Sequence, residues 1–131
     1  MSSRDTLIRL KRFQAEEKRR HFVQIETMIA EFERMAHELD REIAVEQQRA
    51  GITDPNHFAY PTYARAAAGR RDNLKASADE LKQQLDDARA ALDAALEELG
   101  KVEALGERER GIEAPVETAR ATGRPRASLS L

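Results

Sequence analysis

The sequence has no cysteine and no tryptophan, only four prolines and six glycines, and no long uncharged apolar run. Each absence excludes something. Without cysteine there is no disulfide and no thiolate for catalysis or metal binding, a composition that suits a reducing cytoplasm. Without about 20 consecutive apolar residues, no segment is expected to span a membrane as a helix. The opening Met1-Ser-Ser-Arg-Asp5 leads into no apolar signal region. Aromatic residues make up 5% of the chain and charged residues 35%, which predicts long solvated helices in place of a thick core. The net charge of −2 provides no overall attraction to nucleic acid.

Chemical motifs are equally scarce. No Gly-rich phosphate loop, nucleophile elbow or paired catalytic carboxylates occur. His21, His37 and His57 are far apart and belong to no metal-ligand pattern. Glu17 with His21 and Glu33 with His37 read as solvated i,i+4 pairs. A thin helical chain offers no pocket that excludes water. The expectation is a protein that is not an enzyme, without cofactor, metal or small-molecule substrate.

What is present is rhythm. Phe22, Ile25, Ile29, Phe32, Ala36, Leu39 and Ile43 alternate steps of three and four, the apolar seam of a coiled coil. Leu74, Ala78, Leu81, Leu85, Ala88, Leu92, Ala95, Leu99 and Val102 keep the same steps. The first seam is built from Phe and Ile, the second alternates Leu with Ala, and large knobs pack well against small holes. Gly51, Pro55 and Pro61 between them favour a fold-back, with pairing of identical chains as the alternative. With 131 residues the chain forms at most one domain. The expected fold is all-α: a long antiparallel two-helix coiled-coil hairpin over residues 1–107. Its helices are placed at about 3–50 and 63–105 around a connection at about 51–62, and residues 108–131 form a disordered tail. Two helices bury a single seam, so such a hairpin is marginally stable and readily extended by partners.

The end signals fit. Ser2 with Asp5 three residues later reads as a capping box, Gly51 as the cap of the first helix, and Thr62 as the cap of the second, with Gly106 ending it. Asp54-Pro55 reads as the start of a short helical turn. Charge agrees with the antiparallel register. Folded back, the basic stretch Arg4–Arg20 faces Asp93, Glu97, Glu98, Glu103 and Glu107. Near the turn, Glu38, Asp40, Glu42 and Glu46 face Arg65, Arg70, Arg71 and Lys75.

Two places stand apart. In the first three heptads one seam position reads Ile8, Ala15, Phe22, whereas the other reads Arg4, Lys11, Lys18. Charge at a core position loosens pairing. Beside it, Leu7, Leu10 and Phe13 fall off the seam; they either shift it by a stutter or face a partner. Leu7, Leu10, Lys11, Phe13 and Lys18 are therefore a candidate partner-binding set. The second place is the turn, where Phe58, Tyr60 and Tyr63 gather three of the six aromatics. They either plug the end of the hairpin or form a docking patch. The basic run Lys11-Arg12 and Lys18-Arg19-Arg20 lacks interleaved aromatics, so a solvated face is favoured over nucleic-acid binding.

The opening Arg4-Asp-Thr-Leu-Ile-Arg-Leu-Lys-Arg-Phe13, followed by Glu16-Glu-Lys-Arg-Arg20 and two long arms, resembles the FliJ-like family of flagellar export proteins. Ile52-Thr-Asp-Pro-Asn-His-Phe-Ala-Tyr-Pro61 and Arg70-Arg-Asp-Asn-Leu74 are similar to its alphaproteobacterial branch. The resemblance covers about residues 4–105. It implies an antiparallel coiled coil similar to the central stalk of rotary ATPases, acting in the type III export apparatus that serves the bacterial flagellum and motility. The implied partners are the export ATPase ring, the cytoplasmic domain of the export gate and the substrate chaperones. The implied location is the cytoplasm, peripheral to the inner membrane. A generic structural or scaffold coiled coil, such as a homodimeric spacer, is the alternative, with a basic nucleic-acid-binding hairpin behind it.

Overall fold

The computed structural model describes residues 2–113. Two helices account for most of them: α1, Ser3–Ala50, and α2, Thr62–Glu113. They form an all-α antiparallel hairpin. Within each region, the α2 residue that an α1 residue meets moves toward the α2 N-terminus as α1 advances, as Arg4–Glu109 and Arg12–Glu103 show, and likewise Glu33–Lys82 and Asp40–Arg71.

Local chemistry explains where the helices start and stop. Asp5 N donates to Ser2 Oγ at 3.1 Å and Ser2 N to Asp5 Oδ2 at 3.3 Å, a reciprocal capping box that satisfies two backbone donors at the α1 N-terminus. Hydrogen bonds to its carboxyl from the Ser2 backbone N–H and then the Ser2 hydroxyl hold the Asp5 pKa below its ordinary value. At the other end Gly51 adopts φ 71°, and Ile52 N reaches back to Gln47 O at 3.3 Å. That six-residue closure needs a left-handed residue, which glycine supplies without a Cβ clash. The expected short helical turn after Asp54 does not form. Two successive β-turns take its place, closed by His57 N to Asp54 O and Tyr60 N to His57 O, both at 3.0 Å.

The largest departure from expectation lies at the end of α2, which runs through Gly106 to Glu113 instead of stopping near 105. The heptad steps continue beyond Val102 to Gly106 and Glu109, and Gly106 is a buried seam position. A Cβ at Gly106 would sit 3.2 Å from Ile8 Cδ1. The glycine thus makes the hole for the Ile8 knob, and a helix interior tolerates it at a cost of about 1 kcal/mol relative to Ala. Residues 108–113 of the expected tail are therefore helical, and 114–131 lie outside the described residues.

Backbone contacts divide the chain into two compact units, Met1–Glu17 with Leu92–Leu131, and Lys18–Ala91. The second unit holds two apolar clusters. Leu39, Ile43, Tyr60, Ala64 and Ala67 form one, packed by Ile52, Ala68 and Leu74. Ile25, Ile29, Ala78 and Ala88 form the other, flanked by Phe22, Phe32, Leu81 and Leu85. Each large side chain buried there is worth about 1.5–3 kcal/mol. The first unit buries Ile8, Ala15, Leu92 and Val102 with Gly106.

Candidate interaction surfaces

In the first unit, α1 residues Arg4, Ile8, Lys11 and Ala15 hold the seam, so Arg4 and Lys11 are true seam positions and no stutter occurs there, whereas Lys18, the third charged residue expected at the seam, is exposed. Their charges are answered across the helix pair. Arg4 meets Glu109 at 2.7 Å and Lys11 meets Glu98 at 3.7 Å. Arg12, beside the seam, meets Glu103 at 2.9 Å. Two of these acids, Glu98 and Glu103, are among those expected to face the basic stretch. Glu109 is not, because it lies beyond the expected helix end. Such half-exposed pairs contribute about 0–1 kcal/mol each. They set register more than they hold the helices together.

Because the seam keeps its phase, Leu7, Leu10 and Phe13 fall outside it. All three are exposed, Phe13 at 61%. Leu105 of α2 is exposed too. At about 100° per residue, Leu7, Leu10 and Leu105 fall on the flank that carries Lys11 and Glu98. The opposite flank is a charged groove lined by Asp5, Arg9, Arg12, Glu103, Glu107 and Arg110. One flank is thus apolar with the Lys11–Glu98 pair at its edge, the other polar. Phe13 turns further round α1, away from both. Lys18 belongs to the second unit, is exposed, and makes no ion pair among the described residues. The candidate set therefore divides: Leu7, Leu10 and Lys11 share a flank, while Phe13 and Lys18 do not join them. Leu105 was missed, since a helix end placed at 105 gave it no neighbours. Carrying the three-four steps past Val102 would have found it.

At the turn the three aromatics part company. Tyr60 is 7% exposed and sits in the cluster with Leu39 and Ile43, so it is core and no docking residue. Gln47 Nε2 donates to its hydroxyl at 2.8 Å, and the Arg65 guanidinium lies 5.4 Å over its ring. A buried phenol needs such a partner. Tyr63 is half exposed and donates its hydroxyl to Glu42, a bond that raises the Tyr63 pKa. Phe58 is 96% exposed, its ring stacked on that of His57 at 4.7 Å. In the same unit Arg71 bonds Asp40 at 2.9 Å, which raises the Arg71 pKa. Lys82, held by Asp79 and Glu33 at 3.3 Å each, is likewise raised.

Among the described residues no group of His, Asp or Glu is arranged to hold a metal, and no helix is long and apolar enough to cross a membrane. No family model, curated protein or solved structure matches the chain.

Proposed function

We propose that the chain is a non-enzymatic, stalk-like coupling protein of the flagellar type III export apparatus, linking the cytoplasmic export ATPase to the export gate and escorting substrate chaperones. The observation that carries this reading is the apolar flank of the first unit. Leu7 and Leu10 are left to solvent beside a seam whose Arg4 and Lys11 weaken self-pairing. A segment that has to pair with its own partner helix and also be gripped by another protein is served by such a seam. The resemblance of residues 4–20 to FliJ-like proteins supplies the identity of that protein, the ATPase ring. On this reading the protein works in the cytoplasm, peripheral to the inner membrane.

The competing readings fit less well. A homodimeric spacer needs an apolar seam open to a second copy, and the α1 seam is covered by α2 of the same chain. A nucleic-acid hairpin is served poorly by a net charge of −2, and of its basic stretch Arg4, Lys11 and Arg12 are each met by a glutamate.

The test is Leu7→Ala with Leu10→Ala. Both residues are exposed, so melting stays within a few degrees of the parent. Binding to the purified export ATPase should fall at least about ten-fold, as when interface apolar anchors are truncated, and motility should fall with it. A double variant that melts as badly as a core truncation, yet still binds the ATPase, would remove this reading.

A further inference from the structure

The two units draw on unequal amounts of apolar packing. The side chains buried in the unit of the chain ends are Ile8, Ala15, Leu92 and Val102, none of them aromatic. The turn-side unit buries Ile25, Ile29, Leu39, Ile43 and Tyr60, and packs Phe22, Phe32, Leu81 and Leu85 partly buried against its clusters. Glycine follows the same division. α1 has none, and three of the four in α2, Gly100, Gly106 and Gly111, lie in the unit of the chain ends. Gly106 is used, as the hole for Ile8. A Cβ at Gly100 or Gly111 would meet nothing within 4 Å, so these two weaken the helix with no packing in return.

Nothing else makes up the difference. The ion pairs across the two arms, Arg4–Glu109, Lys11–Glu98 and Arg12–Glu103, are partly exposed and add little. The connection between the helices belongs to the other unit, so parting these arms stretches no loop. Once the seam parts, each arm is an amphipathic helix with its apolar stripe in water, which is marginal on its own. A segment with fewer buried apolar contacts opens below the free energy of the whole fold.

We propose that the unit of the chain ends is a latch: α1 up to Glu17 and α2 from Leu92 part and melt together in one step, while the turn-side unit stays paired. The open latch adds Ile8 and Ala15 to the apolar surface that Leu7 and Leu10 already show. A partner that holds this wider face draws the latch open, because it binds the open state better than the closed one. The opening itself does not depend on what that partner is.

Native-state hydrogen exchange on the full chain tests this, with one glycine replaced in each unit. Gly69 of the turn-side unit and Gly100 are both exposed helix positions with open space at the Cβ, so alanine fits at either and strengthens the helix. In the parent, amides of the two latch arms should share one opening equilibrium and exchange faster than those of the turn-side clusters. Gly100→Ala should slow the latch amides of α1 as well as those of α2, about five-fold. Gly69→Ala should slow the turn-side amides by the same factor and leave the latch amides unchanged, since residue 69 stays folded when the latch opens. Three outcomes overturn the proposal. Slowing of the latch amides by Gly69→Ala would mean that the hairpin opens only as a whole. Slowing by Gly100→Ala confined to α2 would mean that the arms fray separately. Protection that climbs residue by residue, with no step at Glu17–Lys18 and Ala91–Leu92, would mean that there is no cooperative unit.

Discussion

The two units of this chain follow one heptad rule and reach opposite results. In the turn-side unit the seam buries Ile25, Ile29, Leu39 and Ile43 beside Tyr60, packs Phe22, Phe32, Leu81 and Leu85 partly buried against them, and leaves Val23, Met28 and Val45 outside. In the unit of the chain ends the same steps bury Ile8, Ala15, Leu92, Val102 and Gly106, bring Arg4 and Lys11 to the seam, and leave Leu7, Leu10 and Leu105 outside. Periodicity therefore decides which residues face the partner helix, whereas side-chain size decides how strongly they hold it. The unit of the chain ends has charged Arg4 and Lys11 at its seam, whereas the turn-side unit packs Ile, Leu and Phe against Ala.

The difference can be broken most severely from the closed side. Ile29→Ala with Phe32→Ala should cost about 5 kcal/mol in urea or thermal unfolding, because both truncations empty one apolar cluster and little can collapse to fill it. The same two-residue truncation at Leu7 and Leu10 should cost under about 1 kcal/mol. Equal losses would show that the units are not differently built.

Next comes the anchor under the turn. Tyr60→Ala should cost about 3 kcal/mol by denaturation, since the ring fills the cluster with Leu39 and Ile43. Tyr60→Phe keeps the ring and loses the bond from Gln47, for about 1 kcal/mol. Phe58→Ala should be close to zero. A large effect of Phe58→Ala would mean that the ring packs where the structure shows it in water.

The open unit can instead be closed. Lys11→Leu puts an apolar side chain at a half-buried seam position and gives up an ion pair at 3.7 Å. It should stabilise by about 1 kcal/mol. Hydrogen exchange should show slower opening of the first turns of α1, because local stability there is set by how much apolar surface the seam covers. Faster exchange in Lys11→Leu would show that the ion pair matters more than the burial.

The smallest effect concerns acid. The bonds from Ser2 depress the Asp5 pKa, and the bond and charge of Arg34 depress that of Glu31. A carboxylate with a lowered folded pKa adds stability that is present above its unfolded value and lost as pH falls through the folded one. Both carboxylates are exposed, so helical signal should change only slightly between about pH 4 and pH 2 on their account. Asp5→Asn should flatten what change there is at the α1 N-terminus. An identical acid profile in that variant would leave the capping box without an energetic role.

Much of this molecule is written in its local pattern. The three-four steps, the Ser2–Asp5 box and the Gly51 stop predict two helices and their connection, because each depends on residues within a turn or two of one another. The opposed charges predict the antiparallel register, and Lys11–Glu98, Arg12–Glu103 and Asp40–Arg71 carry it. Other features required the partner helix. Gly106 reads as a stop when seen alone and becomes a seam hole only once Ile8 stands opposite it. Whether Leu7 and Leu10 shift the seam or leave it depends on which α2 residues meet Ile8 and Lys11. Phe58 and Tyr60 are two places apart in a segment without period, and composition cannot say which of them enters the core. Burial there is settled by the space between Leu39, Ile43, Ala64 and Ala67, a volume that exists only after the helices have packed.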